Sequence, residues 1–257
     1  MISRSGLMMK STGIPVPDLV ETAIQSMGLR DVAPFDPKEK VLALPTVDGE
    51  LVNKATYDFV DEVSRDTPAP GGGSVSALAG ALGAALGAMV ANLSIGKGEF
   101  DDRYQELCEL AERAQEVKDA LVRGVDEDTQ AFDSVIQGMR MPKDTPEERK
   151  ARDAAIQEGY KAATLVPLKT VEQCRDALAV CREMVVQATE EMISDVGTGA
   201  LVARAGLIGA AYNVRINLKS INDQAWGTEI RGKLEGLVKE GEGLAREVEE
   251  FMNRSLG

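Results

Sequence analysis

The chain has 257 residues, 44% hydrophobic and 28% charged, enough for one large core or two small ones. Its net charge of −13 argues against nucleic acid as a partner, because phosphate binding needs a basic surface. There is no histidine, which removes a Ser-His triad, a Cys-His pair and any His-ligated metal. Cys108, Cys174 and Cys181 match no zinc or Cys-x-x-Cys spacing and read as reduced core residues of a cytoplasmic protein. No apolar run of signal-peptide length opens the chain, so no export signal is expected.

In chain order, residues 1–13 are polar and expected to fray. Pro17 and Asp18 then open a short helix ending near Gly28, with Leu19, Val20, Ala23, Ile24 and Met27 on its apolar side. A proline-punctuated stretch follows, then a brief apolar run at Val41–Leu44 and a turn at Asp48-Gly49. Residues 1–52 read as an arm or connector, and 53–257 as a helical domain. Thr56–Arg65 reads as a helix with Phe59, Val60 and Val63 inward.

The stretch 67–97 organises the rest. Pro68 and Pro70 hold the backbone extended, Gly71, Gly72 and Gly73 free it, and Ser74 is placed to cap a long helix. In that helix Leu78, Leu82, Leu86, Val90 and Leu93 form a ridge, while Gly80, Ala84, Gly87 and Ala91 form a bare face that invites a close neighbour. The uncharged run from Val75 to Ile95 is long enough for a membrane span. Its Ala/Gly content and charged flanks favour a buried central helix, with no membrane partner. A glycine turn at a helix N-terminus is also a natural place for an anionic group.

Glu99–Arg123 reads as an amphipathic helix, and a further helix beyond Gly124 carries Asp126, Asp128 and Phe132. Positions 128 and 132 share a helix face, so Asp128 points where Phe132 points; the alternative is a solvated acidic patch. Thr145-Pro146-Glu147-Glu148 is a strong capping box, and its helix is expected to kink or restart at Pro167. Ser194-Asp195 reads as a cap for a second Ala/Gly-rich helix through Ala211. Asn213, Arg215, Asn217 and Lys219 then alternate with Val214, Ile216 and Leu218: an extended segment, a lined site, or an exposed basic helix end. A last charged helix spans about Thr228–Asn253. No strand alternation runs beyond a few residues, so the fold class is all-α, an up-and-down bundle of long helices.

Thr67-Pro-Ala-Pro-Gly-Gly-Gly-Ser74, Met89-Val-Ala-Asn-Leu-Ser94, Asp126-Glu-Asp128 with Ala131-Phe132, Ser194-Asp195 and Asn213-Val-Arg-Ile-Asn-Leu-Lys219 occur in an order that resembles the formiminotransferase-cyclodeaminase C-terminal domain family. That family includes formimidoyltetrahydrofolate cyclodeaminase and methenyltetrahydrofolate cyclohydrolase. Residues 19–38 also resemble the connector of its two-domain enzymes, which tilts the reading towards cyclodeaminase. The resemblance implies an all-helical dimer or larger homo-oligomer and a tetrahydrofolate derivative as substrate. It implies no metal and no prosthetic group.

Carried onto this chain, it implies Asp128 as the proton-handling carboxylate, with Asp126 as second choice. Gly71, Gly72, Gly73, Ser74, Asp195, Asn213 and Asn217 would contact substrate, and Lys97, Arg215 and Lys219 would hold the carboxylates of the folate tail. The rivals are the cyclohydrolase reaction and a non-catalytic helical partner of a separate formiminotransferase. The discriminating observation is whether Asp128 lies beside the glycine turn.

Overall fold

The computed structural model describes residues 15–32, 34–40, 49–67, 69–95 and 102–257; the expectations for residues 1–13, for Val41–Leu44 and for Lys97 fall outside these. Among the described residues every regular element is a helix. Three short ones come first: α1 (Val16–Ser26), α2 (Leu29–Val32) and α3 (Pro37–Lys40). Gly28, which closes α1, has φ +61°, a conformation that side-chain-bearing residues resist. On α1 Val20 and Ile24 are buried as expected, whereas Met27 is exposed. Helix α4 (Thr56–Val63) buries Phe59 but turns Val60 outward.

Four long helices follow: α5 (Gly72–Ser94), α6 (Tyr104–Arg140), α7 (Pro146–Val185) and α8 (Ile193–Leu218). Neighbours along the chain are antiparallel. Gly73 and Gly80 of α5 face Asp128 and Leu121 of α6, Gly138 of α6 faces Ile156 of α7, and Gly206 of α8 faces Cys174 of α7. Helix α8 returns to pack antiparallel on α5, closing an up-down-up-down ring. The last helix, α9 (Gln224–Leu256), lies against α7 and α8, with Arg175–Glu240, Arg182–Glu247 and Arg204–Glu242 ion pairs along its length.

The seam between α5 and α8 explains their composition. A Cβ at Gly206 would lie 2.6 Å from the Ser76 carbonyl oxygen, and one at Gly83 would lie 2.6 Å from that of Gly199. The backbones touch, so only glycine fits. The bare face thus has the close neighbour expected of it: Gly80, Ala84, Gly87 and Ala91 are buried. Of the ridge, Val90 is buried as well, while Leu82 and Leu93 are 52% and 61% exposed. Helix α5 is long and apolar enough to cross a membrane, yet 61% of its most apolar window is buried within the bundle.

Gly124 does not divide two helices, and Pro167 does not break a third. Helix α6 runs through the first and α7 through the second. Proline lacks the N–H that would bond the carbonyl four residues earlier, here that of Ala163. Asn217 Nδ2 donates to that oxygen at 2.8 Å, which replaces the missing bond. Asn217→Ala is therefore expected to cost about 1–3 kcal/mol, the penalty for a buried carbonyl left without a donor. Denaturant melts would register it as a lower midpoint at unchanged slope. The Thr145 capping box forms as read. The three cysteines are buried thiols, and burial pushes Cys174 and Cys181 up to about 12.

Candidate functional site

Helix α5 starts lower in the bundle than its neighbours end. Its first residue, Gly72, lies level with Asp128 on α6 and Asn213 on α8, whereas α6 continues to Arg140 and α8 to Leu218. Above Gly72 the ring therefore lacks one helix. The result is a notch with the N-terminus of α5 as floor, α6 and α8 as side walls and α7 behind.

The floor departs from the expected cap. Gly71 is the N-cap residue and contributes no side chain, while Ser74 sits inside the first turn. The capping acceptor comes from another helix: Asp128 Oδ2 accepts from the Ser74 N–H at 3.0 Å and lies 3.5 Å from Ser74 Oγ. Ser74 Oγ itself donates to the Val125 carbonyl at 2.8 Å, with Thr129 Oγ1 3.4 Å away. A Cβ at Gly73 would fall 2.0 Å from Asp128 Oδ1, so the glycine is what admits the carboxylate. Burial pushes the Asp128 carboxyl above its ordinary value, and the Ser74 hydrogen bonds offset only part of that rise. The N–H groups of Gly72 and Gly73 have no partner among the described residues and point along the helix axis into the notch.

Asn213 closes the floor on the α8 side. Its Nδ2 donates to Gly209 at 2.9 Å and would lie 3.3 Å from a Cβ at Gly72. The 213–219 segment is helical rather than extended, and its polar residues separate by direction. Asn217 turns to Ala163, while Arg215 is exposed with its guanidinium 5.8 Å from the Tyr212 ring. Lys219 is the exposed C-cap residue of α8. Among the described residues, neither cation has a carboxylate partner.

The structure thus brings together Gly71, Gly72, Gly73, Ser74, Asp128 and Asn213. It does not bring Asn217, which is bonded to Ala163, or Arg215 and Lys219, which lie about 200° and 240° around α8 from Asn213 and are exposed. Asp126 turns away from the notch. Its Oδ1 accepts from Leu51 N–H at 2.8 Å and its Oδ2 from Val52 N–H at 3.2 Å, fastening the 49–52 turn to α6. Asp195 lies at the other end of α8, about 27 Å along the helix from Asn213 at 1.5 Å per residue. Ser194 and Asp195 do not cap α8 either: Met192 is the N-cap residue and no side chain caps it. The sequence reading missed Thr129 and the anchoring of the 49–52 turn, since neither Thr129 nor the backbone of Leu51 and Val52 belongs to a recognisable motif.

The fold and site define a helical bundle with a polar notch where one helix falls short and a partly desolvated carboxylate at its floor. Residues 55–236 match the formiminotransferase-cyclodeaminase family, and the chain belongs to it. The methenyltetrahydrofolate cyclohydrolase of Methylorubrum extorquens is 37% identical over 204 residues, covering 79% of this chain and 98% of that protein. The formimidoyltransferase-cyclodeaminases of Rattus norvegicus and Gallus gallus are 34% and 35% identical over 225 residues. This chain spans 42% of the length of each and is itself 86% covered. The crystal structure of formiminotetrahydrofolate cyclodeaminase from Thermotoga maritima superposes with a TM-score of 0.73 at 24% identity, over 81% of this chain and all of that one, and so shares the fold.

Proposed function

We propose that this chain converts 5-formiminotetrahydrofolate to 5,10-methenyltetrahydrofolate with release of ammonia, and that Asp128 is the catalytic residue. The observation that carries this reading is the Asp128 carboxylate, held against the glycine turn and desolvated enough to bind a proton more tightly than an ordinary aspartate. In the reaction the neighbouring amine nitrogen of the side chain, N10, attacks the formimino carbon carried on the pteridine nitrogen N5. A bond forms between N10 and carbon, and N10 gives up its proton to Asp128. The same carboxyl then passes a proton to the departing nitrogen, the carbon–nitrogen bond breaks, and ammonia leaves a cationic methenyl bridge. The carboxylate balances that cation and ends in its starting state. The proposed chemistry calls for no prosthetic group.

The cyclohydrolase relative, matched over 98% of its length, favours a second reading. There water adds to the methenyl bridge, and Asp128 takes a proton from that water instead of from N10. Methenyltetrahydrofolate absorbance separates the two. Deaminase activity makes it rise from the formimino substrate, hydrolase activity makes it fall from the methenyl substrate, and no change in either sinks both readings.

Arg215 and Lys219 are proposed to hold the folate tail carboxylates. Charge-assisted hydrogen bonds are worth about 1.5–3 kcal/mol, so Lys219→Ala should weaken binding of polyglutamated folate by about tenfold or more. A tail-less pterin should bind the variant as it binds the wild type, and equal losses would assign the lysine elsewhere.

A second copy of this chain is proposed to cover the apolar face that α5 and α8 leave open. Val75, Leu82, Met89 and Leu93 on one helix, and Leu201, Tyr212 and Ile216 on the other, are 38–63% exposed. From Val75 to Ile95 no charge interrupts α5, although the chain carries −13 overall. Patches of this kind are more often interfaces than free surface. Leu82→Glu is expected to give a folded monomer by light scattering, and an unchanged mass would remove Leu82 from any interface.

A further inference from the structure

Helix α6 presents one stripe to α5. Leu121 meets Gly80, Val125 receives the Ser74 hydroxyl, and Asp128 meets Gly73. The spacing of that stripe, four then three residues, next reaches Phe132. At that level α5 has not yet begun, so Phe132 faces the notch. Its place on the helix is about 6 Å beyond Asp128 at 1.5 Å per residue.

Phe132 does not hold α6 against α7. That contact is made by Val135, which is fully buried, and by Gly138, where a Cβ would come within 3.1 Å of Ile156. Phe132 is instead 38% exposed, and the chain contains only five phenylalanines and one tryptophan. A flat apolar ring, more than a third of it exposed, thus stands one turn from the carboxylate on the stripe that meets α5 lower down. On the α8 side of the same floor stands Asn213, its Nδ2 donating to the Gly209 carbonyl.

We infer that Phe132 is the surface on which the bicyclic pterin ring of the substrate stacks, setting the ring edge that carries N5 and its one-carbon group against Asp128. This rests on the folate reading above and adds a positioning residue to it. Aromatic rings stack on such faces in offset geometry, and losing one stacked ring typically weakens binding by about tenfold to a hundredfold.

The experiment compares Phe132→Ala, Phe132→Leu and Phe132→Tyr with wild type, using calorimetric binding of tetrahydrofolate and of tail-less tetrahydropterin alongside steady-state rates. The alanine and leucine variants should lose roughly tenfold to a hundredfold in affinity for both ligands and in KM, with kcat at saturation within a few-fold. The tyrosine variant should restore both parameters, and melting temperatures should match across the set. Leucine nearly preserves volume, so it carries the test if alanine disturbs the fold. Leucine binding as well as phenylalanine, or a loss confined to the tailed ligand, overturns the inference while the folate reading stands. Wild type binding neither ligand overturns the folate reading itself.

Discussion

Asp128→Asn is expected to abolish turnover and, at neutral pH, to raise the melting temperature. Asparagine keeps an oxygen for the Ser74 N–H, so the cross-helix cap survives. What it loses is the ability to take a proton and to balance a cation. General acid–base help of this kind is worth a factor of about 100–10,000 in rate. The stability gain follows from proton linkage. Burial raises the folded-state affinity of Asp128 for its proton, so between the ordinary value and the raised one the folded chain binds more protons than the unfolded chain. Asp128 therefore costs stability progressively as pH rises through that window, and the full cost remains above it. The asparagine variant has no such cost, so its melting temperature should exceed that of wild type at pH 7 and converge on it in acid. The same shift sets the rate profile: a base must be ionised, so wild-type activity should fall on acidification at a pH above that expected of an ordinary aspartate. Turnover of the variant within a few-fold of wild type would reduce Asp128 to a helix cap.

Most of the bundle was legible because its signals are local. The capping box at Thr145, the 3.6-residue periodicities and the absence of strand alternation each need only a window of residues. The close neighbour of the Gly/Ala face on α5 was legible as well, since bare positions at helical spacing also need only a window, and the seam with α8 supplies it. What a window does not contain is the identity of a neighbour: nothing local to α5 says that Val90 is covered while Leu82 and Leu93 are not. Pro167 misled for a related reason: its cost falls on the Ala163 carbonyl, and the relief comes from Asn217 on another helix, 54 residues away.

The site was half legible. Gly71–Ser74, Asp128 and Asn213 were each singled out, and they converge. Asp126 and Asp128 look equivalent in sequence, but two residues along a helix is a rotation of about 200°. One carboxylate therefore meets α5 and the other meets the 49–52 turn. Asp195 looked like Asp128 in type, and only the length of α8 separates it from the notch. Ser74 satisfied every rule for a cap. It was displaced because an aspartate 54 positions later supplies the acceptor, and no local rule contains that information.

Gly83→Leu is expected to be the most damaging single change in the core. Even the first carbon of a side chain there would lie 2.6 Å from the Gly199 carbonyl oxygen and 2.7 Å from the Ala203 β-carbon. Neither neighbour can swing aside, because one is helix backbone and the other is fixed to it. The reciprocal contact is tight as well: a Cβ at Gly199 would sit 3.1 Å from the Gly83 carbonyl oxygen. Relief therefore requires α5 and α8 to separate along their length, which opens the Cys174 and Cys181 contacts behind them. Overpacking usually costs about 1–3 kcal/mol where side chains can rearrange, and more where they cannot. Native domains have only about 5–15 kcal/mol to lose, so Gly83→Leu should be largely unfolded or aggregated at 37 °C. Gly83→Ala should melt several degrees below wild type. Gly236→Ala on α9 is the control, since a Cβ there meets nothing within 4 Å. Alanine in an exposed helix interior is worth about 0.5–1 kcal/mol over glycine, so that variant should melt slightly higher than wild type. An unchanged melting temperature for Gly83→Leu would mean that the two helices do not touch at backbone distance.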